Sequence, residues 1–175
     1  MSKFIVVDVE ADGPVPGTDM YSMVCFGAVV VDKKGIRDET FYGQTAPISE
    51  FFIQESLSIS GFTREEHLEF EHPFIAMKRF RDWVNSLKGG NPIFISDNLA
   101  FDWQWINYYF HRFVGKNPFG FSGHRIGDKI QGYFNDPYYK WKQHRKTKHS
   151  HNPVDDAMGN AEVLLWLKEQ GYKLI

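Results

Sequence analysis

An apolar run that ends in two acids is the feature that most constrains this chain. Phe4-Ile5-Val6-Val7 leads directly into Asp8-Val9-Glu10. In a β-strand, residues two apart project from the same face, so the sequence predicts that Asp8 and Glu10 lie side by side. Neighbouring carboxylates repel each other unless a cation or a shared proton lies between them. We therefore expect a divalent metal ion here, and weigh it against the structural alternative of a strand that ends in a polar loop.

The composition fits one globular domain over residues 1–175. The chain is 42% hydrophobic and 17% aromatic, which is enough apolar surface for a core at this length. Lys and Arg total 20 against 22 for Asp and Glu, a net charge of −2, so any site for a polyanion must be local. The single cysteine, Cys25, excludes an internal disulfide and leaves no structural-zinc pattern.

The start of the chain and its apolar runs bear on localisation. The first strand begins within a few residues of the N-terminus, which leaves no room for a signal sequence. No apolar run reaches the ~20 residues that span a bilayer. We therefore expect a cytoplasmic protein that does not contact a membrane.

The residue patterns predict both strands and helices. Met23–Val31 and Arg37–Gln44 are strand-like runs joined by a short turn, which indicates an antiparallel meander with the first strand. Ile93–Ile95 is a short apolar run typical of a buried strand. Residues 46–71 show little beyond a capped helical start near Thr63. Longer helices are predicted at Pro73–Leu87, at Ala100–Phe113 and, with Asn152 as N-cap, from Pro153 to Gly171, and a short helix is predicted around Asp128–Phe134.

Further candidate site residues stand near the starts of two of these helices. Asp102 and Asp156 each lie in a predicted first turn, where the helix dipole alone favours an acid. His151 precedes the last helix and, taken singly, is an ordinary solvated side chain. Lys140–Lys148 is basic, contains no acid and is expected to be an exposed, mobile loop. None of these features alone is specific for a functional site, so the prediction of a site depends on their joint occurrence.

In their order along the chain, these residues resemble the DEDDh group of 3′-to-5′ exonucleases, ribonuclease-H-like proteins that include proofreading exonuclease domains, RNase T and oligoribonuclease. The family's first motif is matched by Asp8-Val9-Glu10. Its second motif, Asn-x-x-Phe-Asp, is matched by Asn98-Leu99-Ala100-Phe101-Asp102. In the third, His151 precedes Asp156 by five positions, as in the histidine class. The tyrosine of the sister class would fall on Asn152. Residues 59–65 also resemble a segment of the family, so the resemblance spans almost the whole chain.

The resemblance implies an α/β fold, a ribonuclease-H-like mixed five-stranded sheet of order 3-2-1-4-5 with helices on both faces. It also implies that Asp8, Glu10, Asp102 and Asp156 bind two divalent cations, Mg²⁺ or Mn²⁺, and that His151 is the general base. Hard oxygen ligands suit these ions, and two of them assist phosphodiester hydrolysis. Asp155 adjoins the last acid, but spacing selects Asp156. Several similar family members are homodimers, so a homodimer is an expectation.

Substrate contacts are predicted around the same motifs. Where many family members carry Thr-Thr-Gly after the first motif, this chain has Ala11-Asp12-Gly13 and a proline-containing loop. Aromatic and methionine side chains can stack on bases, and basic side chains can contact phosphates. The candidates are Met20, Tyr21 and Met23 after the first motif, Asn98, Phe101 and Trp103 at the second, and Arg145 and Lys146 in the basic stretch, which we expect to close over the substrate.

These features predict a 3′-to-5′ exonuclease that releases nucleoside 5′-monophosphates from single-stranded RNA or DNA. RNA is slightly favoured because small stand-alone relatives act on it. One alternative is a non-catalytic nucleic-acid-binding module on the same scaffold, although buried acids would be costly in an inactive site. Another is an endonuclease on this scaffold, whose acids would not require His151.

Overall fold

The fold is built on one mixed sheet. We describe residues 2–174 from a computed structural model of the chain. The sheet has the order β3-β2-β1-β4-β5, in which β1, β2 and β3 pair antiparallel, and β1 with β4 and β4 with β5 pair parallel. The predicted strand order is therefore confirmed. The strands are β1 (Ser2–Ala11), β2 (Met23–Asp32), β3 (Gly35–Gln44), β4 (Asn91–Ser96) and β5 (Gly123–Arg125).

Helices cover both faces of this sheet. The capped start predicted near Thr63 is a capping box, in which the Thr63 and Glu66 side chains each accept the other residue's backbone N–H. A π-helical turn at Phe110–Val114 continues α4, and a 3₁₀ turn occupies Trp141–His144. The helices are α1 (Gln54–Ile59), α2 (Arg64–Leu68), α3 (Pro73–Ser86), α4 (Leu99–Tyr109), α5 (Ile126–Phe134) and α6 (Pro153–Glu169).

Alternation along β1 divides the core into two layers. Ile5, Val7 and Val9 point to the face covered by α3 and α4, whereas Phe4 and Val6 point to the face covered by α5 and α6. All five of these side chains are buried. The even-numbered face matters for the site because its next two members along the strand are acids.

Two expectations about irregular segments differ from the structure. β5 lies between the predicted helices Ala100–Phe113 and Asp128–Phe134, where the sequence predicts no strand. Three residues are too few to show a periodic pattern. The basic stretch Lys140–Lys148 is anchored rather than free. Trp141 is buried in it, and the Glu162 carboxylate accepts hydrogen bonds from the backbone N–H groups of Lys146 and Thr147, each at 2.7 Å. Among residues 2–174, no helix is both long and apolar enough to cross a membrane.

Candidate active site

The end of β1 supplies the first two acids. Asp8 and Glu10 continue the row begun by Phe4 and Val6, so they emerge beside the start of α6. Each is partly buried. The register of β1 with β2 shifts just after Glu10, and this irregularity ends regular pairing at the point where the strand passes into the loop.

The start of α6 supplies the third acid. Asn152 caps the helix by accepting the backbone N–H groups of Val154 and Asp155, and Pro153 occupies the first turn, as predicted. Asp156 is 1% exposed, and its two carboxylate oxygens accept the backbone N–H groups of Ser150 and His151 at 3.1 and 3.0 Å. Neighbouring Asp155 is exposed and bonds the Ser150 hydroxyl instead. The structure therefore turns Asp156, not Asp155, into the cluster.

Close backbone packing sets the position of α6. A side-chain carbon at Gly27 of β2 would lie 2.5 Å from backbone atoms of Pro153 and Val154, closer than real contacts allow. Glycine is thus required at this point, because any larger residue would push the first turn of α6 away from the sheet. That turn carries Asp156 toward β1.

Asp102 lies in the first turn of α4 and is 3% exposed. Its Oδ1 accepts the backbone N–H of Val9 at 3.1 Å, which ties the helix to the strand that carries the other acids. Asn98 is the N-cap residue of α4, but its side chain is exposed and makes no capping hydrogen bond. The Asn98 amide is therefore available to another partner.

His151 stands at the open side of the cluster. Its backbone is left-handed, with φ of 59°, a conformation that non-glycine residues seldom adopt. The ring is 46% exposed, and its Nδ1 lies 3.5 Å from Glu10 Oε1. A second histidine that the sequence analysis did not select, His149, places its Nδ1 2.8 Å from Asp156 Oδ1.

Burial and mutual repulsion raise the pKa values of Asp8, Glu10 and Asp102. Burial, with the charges of Asp102 and Glu10, raises the pKa of Asp8 well above its usual range, and only Arg145 opposes this shift. Burial, followed by the charge of Asp156, raises the pKa of Glu10 to about 7. Burial raises the pKa of Asp102 to about 8. The cluster therefore holds its negative charge poorly without a cation.

The donor set fits hard divalent cations. One oxygen each from Asp8, Glu10 and Asp156 can be chosen so that all three lie within 4.8 Å of one another. Asp102 is not one of this group, although it is close enough to raise the pKa of Asp8. A donor set made only of carboxylate oxygens matches the preference of Mg²⁺ and Mn²⁺.

The predicted substrate residues divide into exposed and buried ones. Met23 is fully buried in the core, so the expectation that it stacks on a base is wrong; a strand covered on both faces has no free side. Met20 is 40% exposed, and Lys146 is also exposed. Tyr21, Phe101 and Trp103 are partly buried against the core.

Arg145 does not face the solvent as expected. Its side chain is 11% exposed, and its guanidinium donates to Asp97 Oδ2 at 3.2 Å and to Asn160 Oδ1 at 2.5 Å. Asp97 follows β4 and Asn160 lies in α6, so Arg145 joins the basic stretch to both elements. We therefore assign Arg145 a supporting position rather than a substrate contact.

Two exposed phenylalanines near the first motif were not predicted. Phe51 and Phe52 are 63% and 37% exposed, and the next residue, Ile53, donates its backbone N–H to Asp12 O at 2.7 Å. Arg64 bonds the buried Asp12 carboxylate at 3.1 Å and lies over the Phe52 ring. The sequence around them has no periodic pattern, and the adjacent pair of aromatic residues was the only signal that it offered.

A known protein that is similar to this chain in sequence is an exonuclease. The chain is 34% identical over 173 residues to the 3′-5′ DNA exonuclease Cap18 of Escherichia coli, covering 91% of this chain and 88% of that protein. It matches no protein-family model.

Several solved structures share the fold at low identity. E. coli exonuclease I with single-stranded DNA and a zinc ion aligns with a TM-score of 0.76 and 16% identity over 99% of this chain. Exonuclease I of Methylocaldum szegediense also has a TM-score of 0.76, with 15% identity over 99% of this chain, and the chain covers 42% of each of these two proteins. Cell-death related nuclease 4 aligns with a TM-score of 0.64 and 14% identity, over 97% of this chain and 64% of that one. Given its identity to Cap18 over nearly the whole chain, the protein belongs to the DEDDh superfamily of 3′-to-5′ exonucleases.

Proposed function

We propose that this protein removes nucleotides one at a time from the 3′ end of single-stranded DNA and releases nucleoside 5′-monophosphates. The observation that carries the proposal is the convergence of Asp8, Glu10, Asp156 and His151 where β1 meets α6. The 34% identical relative is a DNA exonuclease by name, which supports DNA as the substrate. The expectation of RNA rests only on the small size of the chain, so we place DNA first.

In the proposed reaction, water attacks the phosphorus of the last phosphodiester. The bond from phosphorus to the 3′ oxygen of the preceding nucleotide breaks, which leaves a 3′ hydroxyl on the shortened strand. Two divalent cations, Mg²⁺ or Mn²⁺, held by Asp8, Glu10, Asp102 and Asp156, would lower the pKa of the attacking water and stabilise the leaving oxygen. His151 is exposed at the mouth of the cluster, where its imidazole can accept the proton of that water.

Side chains near the motifs form the proposed substrate contacts. Asn98 is exposed with a free amide, and Phe101, Trp103 and Tyr21 present part of their surface around the second motif and the loop after β1. Phe51, Phe52 and Met20 add exposed apolar surface that can stack on bases. Lys146 is exposed, so its ammonium group can contact a phosphate. We further propose that residues 1–175 act as one exonuclease domain; a homodimer and a cytoplasmic location stay predictions.

Digestion of matched oligonucleotides tests the proposal. Single-stranded DNA and RNA of one sequence, labelled at the 5′ end, are incubated with Mg²⁺ or Mn²⁺ and the protein. We expect a ladder that shortens from the 3′ end, faster on DNA. Loss of the general base should slow the His151→Ala variant by about 10²- to 10⁴-fold.

Adjacent acids in α6 provide the matched control. Asp156→Asn should abolish digestion, whereas Asp155→Asn, at the exposed neighbouring position, should keep most of it. Binding of the same oligonucleotide without shortening, under either metal, would contradict an exonuclease and support a nucleic-acid-binding module. Faster shortening of RNA would contradict the proposed substrate alone.

A further inference from the structure

The segment before α6 carries a group of potential metal ligands that differs from the carboxylate cluster. We infer that His149, His151 and Asp156 form a binding site for a transition-metal ion such as Zn²⁺. One ligand atom from each residue can be chosen so that all three lie within 4.8 Å of one another. His149 Nδ1 is 2.8 Å from Asp156 Oδ1, and the two imidazole rings are 4.3 Å apart between centroids.

These separations are close to what zinc requires. Zinc binds imidazole nitrogen and carboxylate oxygen at about 2.0 to 2.2 Å in a tetrahedral arrangement, which places ligand atoms roughly 3.4 Å apart. His149 and His151 are both exposed, so small side-chain rotations can bring their nitrogens to that spacing. The buried carboxylate of Asp156 gives the site a fixed anionic ligand.

The ligand types distinguish this site from the carboxylate cluster. Two imidazoles with one carboxylate favour zinc and similar transition metals, whereas Mg²⁺ prefers oxygen ligands and retains several waters. Asp8 and Glu10 offer oxygen only. Millimolar Mg²⁺ should therefore compete for Asp156 but not for the two histidines, and zinc should bind the three residues more tightly than Mg²⁺ does.

Surrounding contacts hold the Asp156 carboxylate and the backbone of this segment in place before any metal arrives. The backbone N–H groups of Ser150 and His151 bond the two oxygens of Asp156. Upstream, Thr147 donates from its backbone and its hydroxyl to Glu162 at 2.7 and 2.9 Å. The left-handed backbone of His151 turns the chain between these anchors. Because the backbone of this segment is already ordered, metal binding need not offset the loss of conformational entropy that ordering it would cost.

Occupation of the site has a consequence that rests on the proposed function. A zinc ion there would bind the imidazole of His151 and one oxygen of Asp156. The proposed general base would then be unable to accept a proton, so Zn²⁺ should inhibit the exonuclease even in excess Mg²⁺.

Zinc binding is measured first, without nucleic acid. The full chain competes with a chromophoric chelator for Zn²⁺ in millimolar Mg²⁺, and the variants are His149→Ala, His149→Gln and, as control, His124→Ala. His124 is an exposed histidine on β5, outside the group. We expect both His149 variants to bind Zn²⁺ about tenfold or more weakly than wild type, and the control to bind as wild type does. Equal zinc affinity in wild type and a folded His149 variant would overturn the site.

Inhibition is measured next, on single-stranded DNA in millimolar Mg²⁺. The Zn²⁺ concentration that halves activity should rise about tenfold in the His149 variants and stay constant in His124→Ala. Half-inhibition at the same Zn²⁺ concentration in wild type and the His149 variants would overturn the inhibitory role. If the wild type degrades no DNA, but the His149→Ala variant binds Zn²⁺ more weakly than the wild type, the metal site is supported and the proposed exonuclease activity is contradicted.

Discussion

Replacement of Asp102 by asparagine should stabilise the metal-free protein. The Asp102 side chain is 3% exposed, and burial raises its pKa to about 8 from an ordinary value of 3.8. At pH 7 the acid is ionised in the unfolded chain, but folding favours its protonated form. The gap between 3.8 and pH 7 corresponds to about 4 kcal/mol, at about 1.36 kcal/mol for each pH unit.

Asparagine removes the charge and keeps the shape. Its side-chain oxygen can still accept the Val9 N–H, but its buried amide donors need partners, which costs about 1–3 kcal/mol. We therefore expect Asp102→Asn to gain roughly 1–3 kcal/mol at pH 7 to 8. Because the folded-state pKa is raised, wild type loses stability as pH rises from about 4 to about 8. The variant should therefore gain on wild type over that range, and near pH 4 only the cost of its amide donors should remain.

Urea unfolding followed by tryptophan fluorescence in EDTA, from pH 5 to 8, measures this difference. Asp155→Asn is the matched control, since that acid also lies in a first helical turn but is exposed. It should show no gain. Saturating Mg²⁺ should reverse the order, because ligand binding stabilises wild type and the variant has lost a ligand. A variant that is no more stable than wild type at pH 8 in EDTA, or a gain independent of pH, would refute the reasoning.

Three further predictions follow from contacts around the site. Gly27→Ala should cost about 2–4 kcal/mol in urea unfolding because its new methyl group meets the backbone of α6, whereas Gly132→Ala in α5, with nothing within 4 Å, should be neutral or stabilising. Arg145→Ala should cost about 1–3 kcal/mol by leaving the side-chain oxygen of buried Asn160 without its hydrogen bond, and Lys146→Ala should change stability by less than about 0.5 kcal/mol. Since burial raises the pKa of Glu10 to about 7, Mg²⁺ affinity should fall by up to about tenfold for each pH unit below 7, with proton release on binding detectable by calorimetry in two buffers.

The sequence predicted those parts of the fold and site that depend on local patterns. Alternation in β1 placed Asp8 and Glu10 on one face, and the capping signals of Asn152 and Pro153 placed Asp156 in a first turn. The resemblance to the DEDDh exonucleases, which rests on the order of the motifs, implied the sheet order that the structure shows.

The errors come from contacts between residues far apart in the chain. Arg145 looked like a free cation, but its partners are 48 and 15 residues away. Met23 was expected to be accessible, yet a strand covered on both faces gives no alternation from which an exposed side could be identified. Phe51 and Phe52 precede a short helix whose position depends on a backbone contact with Asp12.

The backbone contact at Gly27 also bears on how the protein can change over evolutionary time. Because main chain meets main chain there, the spacing between Glu10 and Asp156 does not depend on the size of a core side chain. Substitutions among the surrounding apolar residues can then accumulate and alter stability while leaving the ligand spacing intact. Substitutions in the core and the geometry of the metal ligands are therefore largely independent, and Gly27 is the position at which a substitution would affect both.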